Sequence, residues 1–398
     1  MDLRTHYPYS LLRYGLIRSY PSLDRSINTD VAIIGAGITG ALVAWHLLKN
    51  GIKCTVLDKR HVAMGSTAAS TSLIQYEIDQ SLHRLIDLHG HSKATRCYKL
   101  CYEAIGQLQE ICKATGNNDN FQKQYSLQFA SYKKDVAALE IEYGLRKKLG
   151  FPVDLLGKND LEKQFGFSAP AALLSGEAAQ TDAYLLTHAL LRSAQSEGAA
   201  IYDHTEIDRV SRNKKMIVLT TNEGHTVRAK KLVIACGYES GGYINKKLED
   251  LRCTYAFASE PLQQSWVKNC LIWETSDPYI YIRSTPDNRV IVGGKDTAYM
   301  PVRRQLAALP RKVAALQQSF QKLFPATELK PDFSWAGAFA ATADGLPYID
   351  THPRDANIYF ALGYGGNGII FSLIAARLIA SSIKGARHPD WELFSFNR

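Results

Sequence analysis

Three glycines, Gly35, Gly37 and Gly40, stand between an apolar strand pattern at 31–34 and an apolar helix pattern that follows directly. A strand, a glycine turn and a helix in this order collect unpaired N–H groups and the positive end of the helix dipole at one point, where a pyrophosphate binds well. Gly35 permits the tight turn, Gly37 lets the pyrophosphate approach the backbone, and Gly40 lets helix and strand pack closely. Asp58 ends a second predicted strand and can accept hydrogen bonds from ribose hydroxyls. The spacing therefore predicts a dinucleotide site.

Two further stretches have a composition that suits contact with a ligand. The small-residue run Gly65-Ser-Thr-Ala-Ala-Ser-Thr-Ser72 can bring several hydroxyls and N–H groups close to an anion or a flat ring, with a flexible loop as the alternative. Near the C-terminus, Gly363-Tyr-Gly-Gly-Asn-Gly368 separates a predicted strand from an apolar helix. The N–H groups of this second junction also face whatever lies at the edge of the sheet.

The strand pattern Tyr279-Ile-Tyr-Ile-Arg283 predicts one wall of a pocket. The two-residue period of a strand places Tyr279, Tyr281 and Arg283 on one face and the two isoleucines on the other. We expect the isoleucines to pack in the core and the tyrosines to line a pocket, with Arg283 either clamping an anion or only ending the strand in solvent. Tyr255 and Trp335 are weaker candidates for the same pocket. None of the eleven histidines pairs with a Ser or Cys nucleophile at a spacing typical of a catalytic triad.

Composition narrows the class of protein. The 398 residues are 46% hydrophobic and 21% charged, which is ordinary for a globular protein large enough for two domains. The net charge of +9 is scattered along the chain, so we expect no nucleic-acid partner. Seven cysteines without a CxxC pair predict reduced thiols, no metal site and a cytoplasmic location. The first residues lack the apolar core of a signal peptide, and the longest apolar stretch, 368–383, is too short for a membrane span.

The rest of the chain mixes helical and strand patterns. Residues 1–29 are polar and aromatic, and we expect them to form a lead-in segment on the surface. Helical spacing dominates 81–115 and 305–324, and a β-hairpin is predicted within 216–228. The apolar run 231–237 ends in glycine and predicts another strand of the nucleotide sheet, so the nucleotide domain must be discontinuous.

Four separated stretches together resemble one family: the glycine turn with Asp58, the Ala235-Cys-Gly237 strand end, Asp344-Gly-Leu-Pro347 and the glycine run at 363–368. Their order and spacing are similar to those of the FAD-dependent oxidoreductases of the D-amino-acid oxidase, glycine oxidase and sarcosine oxidase group, which extends to γ-glutamylputrescine oxidoreductases. The resemblance covers nearly the whole chain. It implies an α/β fold with a Rossmann-like FAD/NAD(P)-binding domain built from discontinuous segments, and a substrate domain of α+β type on an antiparallel sheet.

The resemblance also implies domain bounds and cofactor contacts. The FAD-binding domain takes 1–85, 177–245 and 335–398, and the substrate domain takes 86–176 and 246–334. Asp58, where the family more often has Glu, is implied at the adenosine ribose, and N–H groups near Gly368 are implied at the flavin ring. The implied FAD contacts are Gly35, Gly37, Ile38, Thr39, Gly40, Asp58, Lys59, Ser66, Thr67, Ile207, Gly237, Gly366, Asn367, Gly368 and Ile369.

Departures from the family pattern bear on the cofactor linkage and on the substrate. No cysteine lies between Pro331 and Asp350, where relatives with covalent flavin carry one, so we expect noncovalent FAD. Phe339-Ala-Ala341 stands where glycine-oxidase-like members have an arginine, and Ile369-Ile370 where sarcosine oxidases have a lysine. Both usual clamps for the carboxylate of a small amino acid are therefore missing, and burying an unpartnered carboxylate is costly. Either Arg283 replaces them, or the carboxylate of the substrate is distant or absent.

The activity that the resemblance implies is FAD-dependent oxidation of a C–N bond of an amine or amino acid. The α-hydrogen leaves as hydride to flavin N5, and water hydrolyses the imine. The alternatives are an FAD-dependent dehydrogenase of a hydroxy acid or similar substrate with a non-oxygen acceptor, and a non-catalytic FAD-binding protein. A pyridine-nucleotide dehydrogenase is a weaker alternative, because that class does not require the second glycine-rich junction. The expected partner is a small-molecule amine or amino acid.

Overall fold

The computed structural model describes residues 3–244, 246–263 and 270–398, which form eighteen β-strands and ten α-helices. The strands are β1 (Arg4–His6), β2 (Ile27–Ile34), β3 (Cys54–Leu57), β4 (Leu73–Gln75), β5 (Gln122–Phe129), β6 (Val153–Gly157), β7 (Ala171–Gln180), β8 (Ala200–Tyr202), β9 (Ile207–Asn213), β10 (Met216–Thr221), β11 (Thr226–Ile234), β12 (Asp250–Ser259), β13 (Cys270–Glu274), β14 (Ile280–Ser284), β15 (Val290–Ala298), β16 (Pro331–Ala341), β17 (Tyr348–His352) and β18 (Asp355–Leu362). The helices are α1 (Tyr9–Tyr14), α2 (Ile38–Lys49), α3 (Ser66–Ala69), α4 (Leu82–His89), α5 (His91–Ala114), α6 (Val136–Lys148), α7 (Lys158–Phe165), α8 (Ala183–Ser196), α9 (Val302–Leu323) and α10 (Gly368–Ile383).

The first sheet has eight strands in the order β17-β18-β11-β2-β3-β8, and β10 and β9 extend from β11 as an antiparallel meander. The five strands from β18 to β8 are parallel. Helices α2, α8 and α10 cover one face, and the meander packs on the other. Burial on both faces explains why β2 and β3 end as continuous apolar runs. The second predicted strand, which Asp58 follows, is confirmed as β3. The runs predicted at 226–228 and 231–237 join into one strand, β11, which ends at Ile234, three residues earlier than predicted.

The second sheet has ten strands in the order β1-β16-β12-β15-β14-β13-β5-β7-β4, with β6 paired to β7. Every pairing is antiparallel except that of β5 with β13. Ile280 and Ile282 of β14 pack with Leu316 and Phe320 of α9 on one face, as the two-residue period predicts. The opposite face of β14 is therefore free to contribute side chains to a cavity. Strands β4, β6, β7, β12 and β16 were not predicted from the sequence.

The prediction that 1–29 forms a lead-in segment on the surface is only partly right for the described residues: 15–19 are exposed, but other parts of the segment are built into the fold. Strand β1 pairs with β16 at the edge of the ten-stranded sheet. Leu3, Tyr9, Tyr20 and Leu23 are buried. Their partners come from distant parts of the chain: the backbone N–H of Tyr20, for example, donates to Asp203 at 2.9 Å. Local polarity could not reveal such contacts.

Sheet membership differs from the predicted domain bounds at several edges. Strands β1, β4 and part of β16 lie in segments predicted for the FAD-binding domain, but they pair within the ten-stranded sheet. Helix α5, predicted in the substrate domain, shares a hydrophobic core with α2, α8 and α10. Because the chain crosses repeatedly between the two sheets, the domain bounds stay a prediction. Within the described ranges, no helix has both the length and the apolar character needed to cross a membrane.

Candidate cofactor and substrate site

A cavity of about 390 Å³ is lined by residues of both sheets. One side is formed by the segments that follow β2, β3, β11 and β18, at the carboxyl edge where open α/β sheets bind their ligands. The other side is formed by β12, β14, β15 and β16 of the ten-stranded sheet. Every predicted cofactor residue except Gly40 lines the cavity, and so do Tyr279 and Tyr281. The structure thus brings the dinucleotide pattern and the tyrosine wall together in one space.

The glycine turn after β2 leaves no room for side chains. A Cβ atom on Gly35, whose φ is +107°, would lie 2.4 Å from the carbonyl oxygen of Ala235. On Gly40 it would lie 1.8 Å from the carbonyl oxygen of Gly35. On Gly37 it would lie 2.9 Å from Thr67 Oγ1, which accepts the N–H of Ile38 at 3.0 Å. Gly40 therefore packs against the backbone of the turn on the side away from the cavity, while Gly35 and Gly37 leave their backbone exposed to the cavity.

Asp58 follows β3 and lines the cavity beside this turn. Its Oδ2 accepts the N–H of Ala36 at 2.7 Å, and its Oδ1 accepts the N–H of Arg60 at 2.8 Å. Burial raises the pKa of Asp58, and the two backbone hydrogen bonds act in the opposite direction. Each carboxylate oxygen can accept a second hydrogen bond, so Asp58 can still bind ribose hydroxyls.

Two cations and a glutamate meet at the Asp58 end of the cavity. Both guanidinium Nη atoms of Arg60 lie 3.1 Å from the carboxylate oxygens of Glu239, and Lys59 Nζ lies 3.0 Å from Glu239 Oε1. Burial raises the pKa of Glu239, but hydrogen bonds from Arg60 and Lys59 outweigh it and lower that pKa to about 2. The cations at this end are thus matched by an ionised carboxylate.

The second glycine junction, before α10, is held by residues from 75–79. Asn367 Nδ2 donates to the carbonyls of Gln75 and Glu77 at 3.1 and 2.7 Å. The N–H of Gly366 donates to Asp79 Oδ2 at 2.9 Å. A Cβ atom on Gly365, whose φ is +54°, would lie 2.3 Å from the same oxygen. Asp79, which no sequence pattern identified, therefore shapes the segment expected to face the flavin ring.

The tyrosine wall depends on a glycine pair in the neighbouring strand. A Cβ atom on Gly293 would lie 2.3 Å from the Tyr281 ring, and on Gly294, with φ +124°, 2.1 Å from the carbonyl oxygen of Tyr279. Only glycine at these positions lets the tyrosine ring and the backbone of Tyr279 approach β15. Trp273 of β13 extends the wall, with its ring centroid 6.4 Å from that of Tyr279.

The structure does not bring Arg283 to the cavity. It shares a face of β14 with Tyr281, as predicted, but the cavity ends before it. Arg283 is buried, and its guanidinium donates to the carbonyls of Thr71 and Ser284. The prediction placed it on the correct face but assumed that the cavity extends along the whole strand. Tyr255 packs against α9, and Trp335 donates to the carbonyl of Ala69, so neither lines the cavity.

Asp296 of β15 is a second cavity residue that the sequence did not single out. It follows Lys295, whose φ of +56° is unusual for a residue with a side chain, at an irregular pairing between β12 and β15. This local distortion presents Asp296 to the cavity beside Thr254. The adjacent glycine pair was a signal of unusual backbone, but the side to which it turns Asp296 depends on the partner strand.

The cavity fits FAD at both of its glycine-rich walls. Backbone without side chains is exposed at Gly35 and Gly37, beside a helix N-terminus, and such a cradle accepts a pyrophosphate. Asp58 and Ile207, two of the implied FAD contacts, line the cavity, and Gly366 to Ile369 line the part nearer the tyrosine wall.

Comparisons with known proteins agree with this geometry. The chain is 26% identical over 374 residues to glycine oxidase of Geobacillus kaustophilus (strain HTA426), covering 89% of this chain and 93% of that protein. It is 23% identical to γ-glutamylputrescine oxidoreductase of Escherichia coli (strain K12), covering 96% of this chain and 89% of that protein. The crystal structure of glycine oxidase from Geobacillus kaustophilus superposes with a TM-score of 0.80 at 22% identity, covering 93% of this chain and 99% of the other.

A family model described as FAD dependent oxidoreductase (DAO) matches residues 30–382. The match includes both glycine junctions, Asp58 and the tyrosine wall. It therefore covers every described cavity-lining residue except Leu3, as well as most of the chain. The cofactor is FAD, and the chain belongs to the family of FAD dependent oxidoreductases.

Proposed function

We propose that the protein binds FAD noncovalently and oxidises a C–N bond of a small-molecule amine or amino acid. The observation that carries this proposal is the continuity of one cavity from the glycine turn and Asp58 to the wall of Trp273, Tyr279 and Tyr281. A dinucleotide held at the first end leaves the aromatic wall for a substrate. Two relatives, a glycine oxidase and a γ-glutamylputrescine oxidoreductase, are named for an amino acid and an amine, which supports the choice of bond.

The chain supplies binding, orientation and a dry environment. Gly35 and Gly37 would hold the pyrophosphate, Asp58 the ribose, and the segment from Gly366 to Ile369 the ring. When bound, FAD supplies the acceptor for the hydride, which carries both electrons away from the carbon. Orientation of the substrate against that acceptor is the main task left to the protein.

Two hydrogen bonds fix the aromatic side chains that perform this orientation. Trp273 Nε1 donates to Ser126 Oγ at 3.1 Å. The hydroxyls of Tyr281 and Thr254 are 3.4 Å apart. With these rings fixed, the wall can position an aliphatic or aromatic amine and exclude water from the reacting carbon.

The thiol that lines the cavity supports a noncovalent linkage. Cys236 is a cavity residue, and its Sγ lies 3.6 Å from Ser240 Oγ. Burial raises the pKa of Cys236 to about 12. A thiol with such a pKa stays protonated at neutral pH and is a poor nucleophile towards a flavin.

A cytoplasmic location belongs to the same proposal. All seven cysteines lie within the described residues, and each is a free thiol; six of them are buried. Reduced thiols of this kind are typical of a reducing compartment.

The absorption spectrum before and after acid precipitation tests the cofactor. Two flavin bands released into the supernatant are expected of noncovalent FAD. Bands that stay with the pellet would show a covalent flavin, and a colourless protein that takes up no FAD would contradict the proposal. Anaerobic mixing with amines, amino acids and hydroxy acids then distinguishes an amine oxidoreductase from a hydroxy-acid dehydrogenase or a non-catalytic FAD-binding protein.

A further inference from the structure

The substrate end of the cavity has no basic side chain among its described lining residues. Lys59 and Arg60 are the lysine and arginine that line the cavity, and both lie at the Asp58 end. Both also pair with Glu239, at 3.0 and 3.1 Å. A carboxylate bound against the tyrosine wall would therefore meet no cation from the cavity lining.

Two carboxylates line this end instead. Asp79 accepts one hydrogen bond, from the N–H of Gly366. The Oδ1 atom of Asp296 is shielded from solvent and has no hydrogen-bond partner among the described residues. Glu77 also lines the cavity, and its Oε2 is likewise buried without a hydrogen-bond partner among the described residues. Its Oε1, however, accepts the Ser175 hydroxyl and lies 3.4 Å from Arg146 Nη1, so Glu77 has a cationic partner that Asp79 and Asp296 lack within the described ranges. An unpartnered buried acceptor is costly unless a ligand satisfies it.

The side chains around Asp296 suit a cation. The ring centroids of Tyr279 and Tyr281 are 6.0 Å apart and tilted, and the ring centroid of Trp273 lies 6.4 Å from that of Tyr279. The faces of such rings carry negative potential and attract ammonium groups. Carboxylates and ring faces thus favour the same sign of charge at this end.

The electrostatics of Asp296 agree with this geometry. Burial raises its pKa to about 6, and the nearby charge of Asp79 acts in the same direction. A hydrogen bond from Thr254 and the charge of Arg252 act against the increase. Arg252 is exposed and is not among the cavity-lining residues. A cation bound between the two carboxylates would relieve their mutual repulsion.

We propose that Asp296, with Asp79 and the aromatic wall, binds the ammonium group of the substrate and selects amines that carry no carboxylate on the carbon next to the nitrogen. This inference rests on the proposed function, because it names the substrate class of the same cavity. An α-amino acid would bring its carboxylate towards Asp79 and Asp296 without a basic partner, and the like charges repel. A simple amine carries only the positive charge of its ammonium group, which the two carboxylates attract.

Two probes without an α-hydrogen test binding apart from turnover. tert-Butylammonium and 2-aminoisobutyrate differ only in that one methyl group is replaced by a carboxylate, and neither can be oxidised at the carbon that bears nitrogen. Their dissociation constants are measured with the FAD-loaded protein from changes in the flavin absorption spectrum. We expect tert-butylammonium to bind about tenfold or more tightly than 2-aminoisobutyrate. Equal affinities, or a preference for 2-aminoisobutyrate, would overturn the proposal.

Matched variants assign the preference to the two carboxylates. Asp296→Asn and Asp79→Asn keep the shape of each side chain and remove its charge, and each should lower the affinity for tert-butylammonium by about tenfold. Asp250→Asn is the control, because Asp250 is exposed on the neighbouring strand β12 and pairs with Lys247 at 2.7 Å. The control should bind tert-butylammonium as the unmodified protein does. Unchanged affinity in both cavity variants would overturn the proposal.

Failure of this inference is distinguishable from failure of the proposed function. Reduction of the flavin by α-amino acids but not by simple amines would keep C–N oxidation and reject the amine selectivity. Selective binding of tert-butylammonium without flavin reduction by any amine would keep the ammonium site and reject the catalysis. If the aspartate variants do not retain FAD, the affinities of the two probes for the unmodified protein still test whether the site prefers an amine without a carboxylate.

Discussion

The two ends of the cavity balance their charges differently. At the Asp58 end, Asp58 accepts two backbone N–H groups, and Lys59 and Arg60 pair with Glu239. At the tyrosine end, Asp296 keeps a buried oxygen without a partner among the described residues. An end whose charges are balanced recognises a ligand through backbone and shape, whereas an end with excess negative charge also selects the ligand by its charge.

The ends also differ in how the chain builds them. The Asp58 end comes mainly from one continuous strand-turn-helix-strand unit and depends on glycine at defined places. The tyrosine end collects single residues from β12, β13, β14 and β15 and from the segment before α4. Changes at the first end should therefore affect cofactor retention, and changes at the second should affect the choice of substrate.

The largest effect is expected from Gly40→Ala at the cofactor end. The new Cβ atom would lie 1.8 Å from the carbonyl oxygen of Gly35, so the turn must move. We expect loss of bound FAD and a destabilisation of about 3 kcal/mol, measured by flavin absorbance and by thermal unfolding. Gly106→Ala in α5 is the matched control, because no atom in the described part of the chain, apart from neighbouring residues and the helix's own backbone, lies within 4 Å of its Cβ position. The change should stabilise the protein by about 0.5 kcal/mol. Full retention of FAD by Gly40→Ala would show that the turn is not the pyrophosphate site.

The next effect concerns Arg283, which the structure assigns to neither end of the cavity. Arg283→Met removes two hydrogen bonds to backbone carbonyls and should lower the free energy of unfolding by about 2 kcal/mol. The preference for tert-butylammonium over 2-aminoisobutyrate should not change. Arg303→Met, at an exposed position of α9, should change stability by less than about 0.5 kcal/mol. A changed preference at unchanged stability would return Arg283 to the role of a substrate clamp.

The pH dependence of tert-butylammonium binding tests the charge of the tyrosine end of the cavity without any mutation. Asp296, with its pKa raised to about 6, is protonated below that pH and ionised above it. The affinity for tert-butylammonium should therefore rise by about tenfold from about pH 5 to about pH 7, while the probe itself stays cationic. In Asp296→Asn this rise of affinity with pH should disappear. A rise that persists in the variant would mean that another group titrates. The groups that interact with Asp296 are Asp79, Asp277, Arg252, Thr254, Tyr279, Tyr281, Cys253, Tyr255 and Lys312.

The smallest effect is expected from Tyr281→Phe. The ring face remains, and only the hydroxyl that lies 3.4 Å from Thr254 is lost. We expect the affinity for tert-butylammonium to fall by about twofold, as measured by the same flavin difference spectrum. A loss as large as that of Asp296→Asn would mean that the hydroxyl, and not the ring, contacts the substrate.

The sequence was sufficient for the cofactor end because its signals are local. Gly35, Gly37 and Asp58 lie within one unit whose strand and helix patterns are strong, and the structure places all three at the cavity. The shared face of Tyr281 in β14 and of Tyr279 directly before it also followed from a local period. The local period could not show how far the cavity extends along that face, so Arg283 was wrongly assigned to the cavity.

Asp79 and Asp296 could not be found in the same way. Asp79 becomes a cavity residue only because β18 ends beside it and the N–H of Gly366 bonds to it, across 287 positions of sequence. Asp296 depends on a distortion between β12 and β15 that no period encodes. Edge strand β1 was missed for a related reason, since its pairing partner β16 is distant in the chain.

Anaerobic reduction of the FAD-loaded protein tests the central claim most directly. A simple primary amine with an α-hydrogen should bleach the flavin absorption bands without any other reductant, and readmitted acceptor should restore them. Bleaching by dithionite but by no amine or amino acid would contradict oxidation of a C–N bond at this cavity.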